Sequence, residues 1–486
     1  MNCVLGIDIG TSGCKLVLLD EKGNHLLTES QELFPTTKAD GTVEQNPNDW
    51  YQTTISCLNK MKNEYKIDLH HICAIGVTGQ MQGITLLDKN YEPVRNSMLW
   101  NDIRSEKETA ALKEKHQVYM ESITGYPIST GLSVTKIHWL KKHEPQSWEK
   151  TFKFIYASNF ISFKLTGIVS TDENNICQSG LSDIRKNQWS EELLNICEIE
   201  KDKLPQVLGC FEIIGGVTKK AAQETGLKEG TLVIAGGGDA GAESYSISLA
   251  DANRMKIRLG TAADMNVVYH TSKVTNDQWQ GFRDVVKDYL LFSAIIKSCA
   301  FSIKWARSVF YSEQPAGPET YVLMDKEAAT IPLGSEGLIY FPYLYGEAAP
   351  YYNPNLTAKF MGMKGGMNRG HFVRSVYEGV SFAIRDVIRS TQQFENIKEF
   401  VFIGGGTKSR LWLSILADVL GHDALLPKYC DAAYGAALMA GDGTKMWDGK
   451  TIAARNMQDC TLIKSIPENH QKYTEIFGKY LEYAGK

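Results

Sequence analysis

The stretch VIAGGGDAGAES, residues 233–244, surrounds one carboxylate, Asp239, with residues that carry almost no side chain. Such a glycine run either makes a turn, with Asp239 an ordinary turn residue, or lets the main chain come close to a ligand, because glycine has no Cβ in the way. A second carboxylate, Asp8, ends the apolar run CVLGIDIG (3–10), and Gly10, Thr11, Ser12 and Lys15 follow it. Glycine-containing turns also occupy 259–262 and 404–409. Successive N–H groups in turns of this kind converge on anions and bind phosphate. The hydroxyls of Thr11, Ser12 and Thr261 and the charge of Lys15 add donors. An aspartate beside a phosphate turn suits magnesium, which is held by one or two carboxylates, often through water, together with substrate phosphates. None of the turns matches the P-loop or the complete Rossmann pattern. Three of them placed after strands, one carrying an aspartate, point to a nucleotide held between two domains.

The elements that must position these residues are legible from pattern. CVLGIDIG and KLVLLDEKGNHLLTES (15–30), with a turn at residues 21–24, predict three adjacent antiparallel strands. Asn46 as N-cap and Pro47 as first helical residue predict a helix over 46–65. ICAIGVTG (72–79) reads as a buried strand. MKIRLGTAADMNVVYH (255–270) echoes LGIDIGTSGCKLVLLD (5–20) when Gly260-Thr261 is set on Gly10-Thr11, a weak internal repeat. Arg258 stands where Asp8 stands, so the two turns have different tasks. Residues 371–393 predict a long amphipathic helix. FVFIGGGTKSRLWLSILADVLG (400–421) predicts strand, glycine turn and helix, stopped at Gly421.

A chain of 486 residues exceeds the roughly 250–300 that one core supports, so two domains are expected, 1–247 and 248–486, with a short crossing near 245–255. Lys+Arg 52 against Asp+Glu 56 gives 52 − 56 = −4, which argues against a nucleic-acid binder. Ten scattered cysteines without a C-x-x-C pair read as reduced packing thiols of a cytoplasmic protein. HHIC (70–73) has no second ligand cluster beside it and reads as surface and strand residues. MNCVLGIDIG has no basic leader region, and no apolar stretch approaches the ~20 residues of a membrane span.

With these motifs in place, the chain resembles the FGGY family of carbohydrate kinases, and within it the xylulokinases. GIDIGTSGCK (6–15) is similar to the family's first phosphate loop. GQMQG (79–83) followed by LWND and Arg104 is similar to the xylulokinase sugar segment, GGGD (236–239) to the catalytic segment and IGGGTKSRLW (403–412) to the adenosine segment. GLSVTKIHWLKKH (131–143) fits the first family signature, with Lys136 and Trp139 in register. Residues 358–378 fit the second, with Gly362 and Glu378 in register. The resemblance implies an α/β fold of two ribonuclease H-like, actin/hexokinase-type domains with a cleft that closes on MgATP and a sugar. It implies Asp239 as general base, its glycines crowding the main chain against sugar and γ-phosphate, and Asp8 as the magnesium anchor. Gly10, Thr11, Ser12, Lys15, Gly260 and Thr261 would cradle phosphates. Gly405, Gly406 and Ser409 would line adenosine. Gln80, Met81, Gln82, Trp100, Asp102 and Arg104 would face the sugar. A homodimer is compatible with the chain, whose sequence does not fix an oligomeric state.

Three positions depart from the xylulokinase pattern. Gln82 replaces a histidine, Ala240 replaces an asparagine, and GEAAPYYNP (346–354) lacks Arg-Thr after its glutamate. A site built for a given hydroxyl discriminates strongly, so D-ribulose, L-xylulose, another ketose, a polyol or gluconate stand beside D-xylulose as substrates. Plain packing roles for Met81 and Trp100 and a structural Asp102–Arg104 ion pair are the alternatives at those positions. At the level of function, an actin- or chaperone-like ATPase and a catalytically weak sugar sensor are the rivals, because fold alone does not fix function.

Overall fold

The computed structural model describes residues 2–251, 253–271, 280–390 and 397–485, which fall into two compact units. The first comprises Met1–Ser248, Gly281–Leu291 and Tyr429–Arg455; the second comprises Leu249–Gln280, Phe292–Lys428 and Asn456–Lys486.

The sheet of the first unit runs in the order Ile213–Gly216, Leu232–Ile234, Ile72–Gly79, Cys3–Ile9, Gly13–Asp20, His25–Glu32. Its last three strands form the predicted antiparallel meander. Ile72–Gly79 pairs in parallel with Cys3–Ile9, and Leu232–Ile234 and Gly237–Gly238 pair in parallel with Ile72–Gly79. Side chains alternate between faces along a strand. Cys3, Leu5, Ile7 and Ile9 pack with Trp50, Leu58 and Phe160 on one side. Val4 packs with Ala433, Ala437 and Tyr245 on the other. Gly6 and Asp8 share the parity of Val4. Burial on both faces is why this strand reads as an apolar run interrupted by Asp8.

The first face is covered by the predicted helix, Pro47–Asn63, whose N-cap Asn46 accepts the Asn48 N–H at 3.1 Å. The second is covered by Ala432–Gly443, a helix rich in alanine and glycine. A Cβ on Gly6 would lie 1.9 Å from Ala433 O, and one on Gly76 would lie 2.1 Å from Ala436 O. On the same helix, a Cβ on Gly435 would lie 1.9 Å from Ala242 O of the helix Asp239–Ser246. Main chain therefore touches main chain at three places, and only glycine permits it.

In the second unit Arg254–Leu259 pairs antiparallel with Ala263–His270 and parallel with Glu399–Ile403, which pairs parallel with Ala424–Leu426. The sequence echo is thus a second hairpin. The charges within it are exchanged: Asp8 opposes Lys15 in the first, and Arg258 opposes Asp264 in the second. A hairpin continued by parallel strands in each unit is the α/β, ribonuclease H-like plan. The amphipathic helix expected over 371–393 spans Arg369–Arg389, and 391–393 lie outside the described residues. Arg410–Leu420 ends at Gly421 with φ 73°, as its glycine stop predicts. No helix among the described residues is long and apolar enough to cross a membrane.

Gly435→Ala inserts a methyl where Ala242 O already lies. We expect about 1–3 kcal/mol of destabilisation from overpacking, seen as a fall of several degrees in Tm. Gly365→Ala, whose Cβ would meet nothing within 4 Å, is the control and leaves Tm unchanged. Equal Tm values for both variants would show that this seam is looser than described.

Candidate active site

Asp8 is level with Thr78 and Thr78 with Gly237; Ile9 is level with Gly79 and Gly79 with Gly238. Three parallel strands therefore end together, and the carboxyl ends of such strands are where α/β sheets gather ligands. From these ends emerge the Gly10 turn, Gln80 and Asp239. The Gln80 N–H donates to Ile9 O at 2.9 Å, and Gly10 N–H to Gly13 O at 2.9 Å.

Strand parity turns Asp8 toward the start of the helix Ala432–Gly443. Its N-cap is Asp431, which accepts the Tyr434 N–H at 2.8 Å. Lys15, across the hairpin from Asp8, reaches the same Asp431 at 3.2 Å. Asp8 Oδ1 is sealed from solvent with no hydrogen-bond partner among the described residues. Burial first, then the charges of Asp239, Asp431 and Glu243, push the Asp8 carboxyl up to about 8, with Lys15 opposing. Four carboxyl groups and one ammonium thus share a small region. No group of three or more His, Cys, Asp or Glu among the described residues is set to ligate a metal directly. One orphaned carboxylate oxygen ringed by further negative charge fits an ion that keeps most of its own water. The sequence reading missed Asp431 and Glu243. Asp431 had one signal, an aspartate followed by small residues, as at Asp239.

The glycines around Asp239 bring the main chain close to neighbouring protein atoms. A Cβ on Gly236 (φ 75°) would lie 2.0 Å from Val77 O, and one on Gly238 would lie 2.3 Å from the Met81 side chain. Cβ atoms on Gly237 and Gly241 would each lie 2.7 Å from Val285. Asn174 Oδ1 accepts the Gly238 N–H at 2.8 Å. Asp239 starts its helix, half-buried, and its Oδ1 accepts the Ala240 N–H at 2.9 Å.

The segment expected to face a sugar is tied to the first phosphate turn. Thr11 Oγ1 accepts Trp100 Nε1–H at 3.0 Å and lies 3.3 Å from Gln80 Oε1, to which it donates. Gln80 Nε2 donates to Gln45 Oε1 at 3.1 Å, and Gln45 Nε2 donates to Thr11 O at 2.9 Å. The Thr11 hydroxyl is therefore engaged by Gln80 and Trp100, which leaves the main-chain N–H groups and the exposed Ser12 hydroxyl as the turn's donors. Trp100 is 47% exposed, so it is no buried anchor, whereas Met81 is buried in contact range of Gly238. Asp102 is wholly buried and accepts Val43 N–H at 2.9 Å and Arg104 Nε at 3.0 Å, an architectural pair. Gln82 has a left-handed backbone (φ 68°), and its amide lies over Gly131. The signature residues hold this ground: Lys136 Nζ, wholly buried, donates to Thr130 O at 2.8 Å and Gly131 O at 2.6 Å. Burial pushes its amine down to about 7. Trp139 lies 4.5 Å from the Arg104 guanidinium.

In the second unit the turns after Leu259 and Ile403 lie on neighbouring parallel strands. Thr261 O accepts the Cys299 N–H at 2.9 Å, and Gly260 O accepts the Ala300 N–H at 2.8 Å. Gly405 and Gly406 edge a cavity of about 490 Å³ that Ile303, Val322, Tyr377, Ser409 and Trp412 also line. A Cβ on Gly405 would meet nothing within 4 Å, whereas one on Gly406 would lie 2.6 Å from the Trp412 ring. Ser409 caps its helix by accepting Trp412 N–H at 3.1 Å. The second signature is structural: buried Glu378 accepts Gly334 N–H, Arg374 Nε and Tyr473 OH at 2.9 Å each. Gly362 has φ 82°, and a Cβ there would lie 2.2 Å from Gly337 O.

Family models of the FGGY carbohydrate kinases match this chain twice, the N-terminal domain over residues 3–244 and the C-terminal domain over 255–442. The chain is 28% identical over 488 residues to the xylulose kinase of Bacillus subtilis (strain 168), covering 99% of this chain and 96% of that one. It superposes on the crystal structure of a xyloylose kinase from Brucella ovis with a TM-score of 0.90 at 26% identity, covering 99% and 98% of the two chains. It superposes equally well, TM-score 0.89, on a gluconate kinase from Lactobacillus acidophilus at 22% identity, covering 100% and 98%. That last likeness shows the fold alone.

Asp8 has an ordinary carboxyl value of 3.8 in the unfolded chain and is raised to about 8 in the folded one. The folded state therefore keeps a proton that the unfolded state has lost. In the absence of divalent cations, stability should fall as pH rises from 4 through 8, at most by about 1.4 kcal/mol per pH unit. Urea unfolding in chelator should show this slope in the wild type and a shallower one in Asp8→Asn. Parallel pH profiles would mean that Asp8 is not held in this state.

Proposed function

Because the chain belongs to the FGGY family of carbohydrate kinases, we propose that it transfers the γ-phosphate of ATP to a hydroxyl of a ketose, in the manner of a xylulokinase. The observation that carries this reading is Asp239 at the carboxyl ends of the parallel strands, beside the Gly10 turn and the Thr11–Gln80–Trp100 network. In it, the N-terminal half, 1–247, carries the sugar and the C-terminal half, 248–486, the nucleoside. Asp239 accepts the proton of the attacking hydroxyl. That oxygen bonds to the γ-phosphorus as the bond to ADP breaks, and the carboxylate is neutralised as alkoxide character develops. The Ala240 N–H fixes one Asp239 oxygen. The main chain of residues 10–13 and Lys15 meet phosphate charge, and Gly405, Gly406 and Ser409 line the nucleoside. Magnesium, when bound, neutralises phosphate charge, and Asp8 would hold it through water. Phosphoryl transfer of this kind asks for positioning and charge placement more than covalent chemistry.

Asp239→Asn keeps the shape and removes the base. We expect kcat to fall by about 10²–10⁴-fold while ATP binding persists. A variant keeping more than about a third of wild-type kcat would remove Asp239 from this role. Added magnesium should raise the Tm of the wild type and not that of Asp8→Asn.

The identity of the ketose turns on Gln82. Glutamine offers two donors and an acceptor on one amide, and neutral imidazole offers one of each on opposite sides of a ring. Histidine tolerates the left-handed backbone found here, so Gln82→His is a fair exchange. D-Xylulose should not be the best substrate of the wild type, and Gln82→His should move kcat/KM toward it by several-fold, the value of about one hydrogen bond. Kinetics on D-xylulose, D-ribulose, L-xylulose and gluconate check this. A wild-type preference for D-xylulose with no change in the variant would overturn it. ADP release without any sugar would favour a protein-binding ATPase instead.

A further inference from the structure

We infer that Asp325 selects the base of the nucleotide, its carboxylate accepting a hydrogen from an exocyclic amine and so admitting a 6-aminopurine while opposing a 6-oxopurine. This rests on the kinase reading above and deepens it. Asp325 lies on the helix Pro318–Ala329 and lines the cavity of the second unit. Its Oδ1 accepts Tyr377 OH at 2.6 Å and Ser409 Oγ at 2.9 Å. Ser409 is itself fixed as the cap of its helix, and the Tyr377 ring stacks on Trp412 with centroids 5.9 Å apart and planes at 17°.

Two consequences follow from that arrangement. Both hydroxyl protons near Asp325 are committed to Oδ1, so the carboxylate cannot turn over without breaking two bonds. Its Oδ2 has no hydrogen-bond partner among the described residues, and Asp325 is part of the cavity lining. A carboxylate oxygen of this kind accepts and does not donate. The neighbouring walls, Ala300, Ile303, Pro318 and Val322, are apolar and suit the flat faces of a base. A ring edge that presents N–H to Oδ2 is satisfied. One that presents a carbonyl sets lone pairs against lone pairs at Oδ2, and such mismatches discriminate strongly, whereas the donors of the lining, Lys408 and Tyr321, are other side chains than Asp325.

The experiment uses the full chain, with its best ketose saturating, and compares ATP with purine riboside 5′-triphosphate, ITP and 2′-deoxyATP. The purine riboside compound lacks only the amine and should lose about 10-fold in kcat/KM, mostly through KM. ITP should lose more, and 2′-deoxyATP should stay within about twofold, because the contact is to the base. In Asp325→Asn the amide oxygen keeps the Tyr377 and Ser409 bonds, and Nδ2 becomes a donor in place of Oδ2. The ITP-to-ATP ratio of kcat/KM should then rise about 10-fold or more. The idea fails if wild type uses purine riboside triphosphate as well as ATP, if 2′-deoxyATP carries the loss, or if the variant's ratio is unchanged. The wild-type panel stands even if the variant does not fold. Calorimetry with ADP, IDP and purine riboside diphosphate reads the same contact without turnover, so failure to phosphorylate any ketose would count against the kinase reading alone.

Discussion

The contact on which the first unit depends is between main chains. The helix Ala432–Gly443 lies on the strands Cys3–Ile9 and Ile72–Gly79 with no side chain between them at Gly6 and Gly76. It meets the helix Asp239–Ser246 in the same way at Gly435. Side chains of ordinary size would hold these elements several ångströms further apart, at the usual 8–10 Å between helix axes or about 10 Å between layers. The close seam brings two helix starts, each headed by an aspartate, down to the level of Asp8. Lys15 can reach Asp431 only because that helix start is so near the hairpin.

That placement is electrostatically adverse, and the adversity has a direction. Burial, together with the charges of Asp239, Asp431 and Glu243 and with Lys15 opposing, drives Asp8 well above its ordinary range. Like charges brought together under partial burial favour the neutral form of one of them. The alternative to protonation is a cation among them. A region left acidic in this way repels anions unless positive charge comes with them. The partly exposed Lys15–Asp431 pair is worth little in stability, as ion pairs open to solvent are. Its value lies in where it holds the two groups.

What the sequence revealed was periodicity and local punctuation. The three opening strands, the helix begun by Asn46-Pro47 and the glycine-stopped helix before Gly421 each carry their signal within a few residues. Asp431 carried only the weak signal of an aspartate before small residues, because an N-cap aspartate looks the same whether it meets solvent or a lysine. Nothing local in 429–455 tells that it packs with the first unit. The glycines about Asp239 were visible, but the protein atoms they meet were not. A missing side chain records that something is close, and Val77, Met81 and Val285 are close here. Lys136, Trp139 and Glu378, singled out by signature, turn out to brace turns and to hold Arg104.

The two hairpins show how one supersecondary plan yields two kinds of site. In the first, the acid on the inner strand, Asp8, is left with an unsatisfied oxygen beside further carboxylates. In the second, the acid stands across the hairpin at Asp264, where Ser293 and Asn266 donate to its Oδ1. Its partner Arg258 is exposed. The cavity of that unit is lined by Ile303, Val322, Tyr377 and Trp412. Exchange of one acid–base pair between the strands of a hairpin thus leaves one unit with carboxyl groups crowded round an unsatisfied oxygen and the other with its acid hydrogen-bonded.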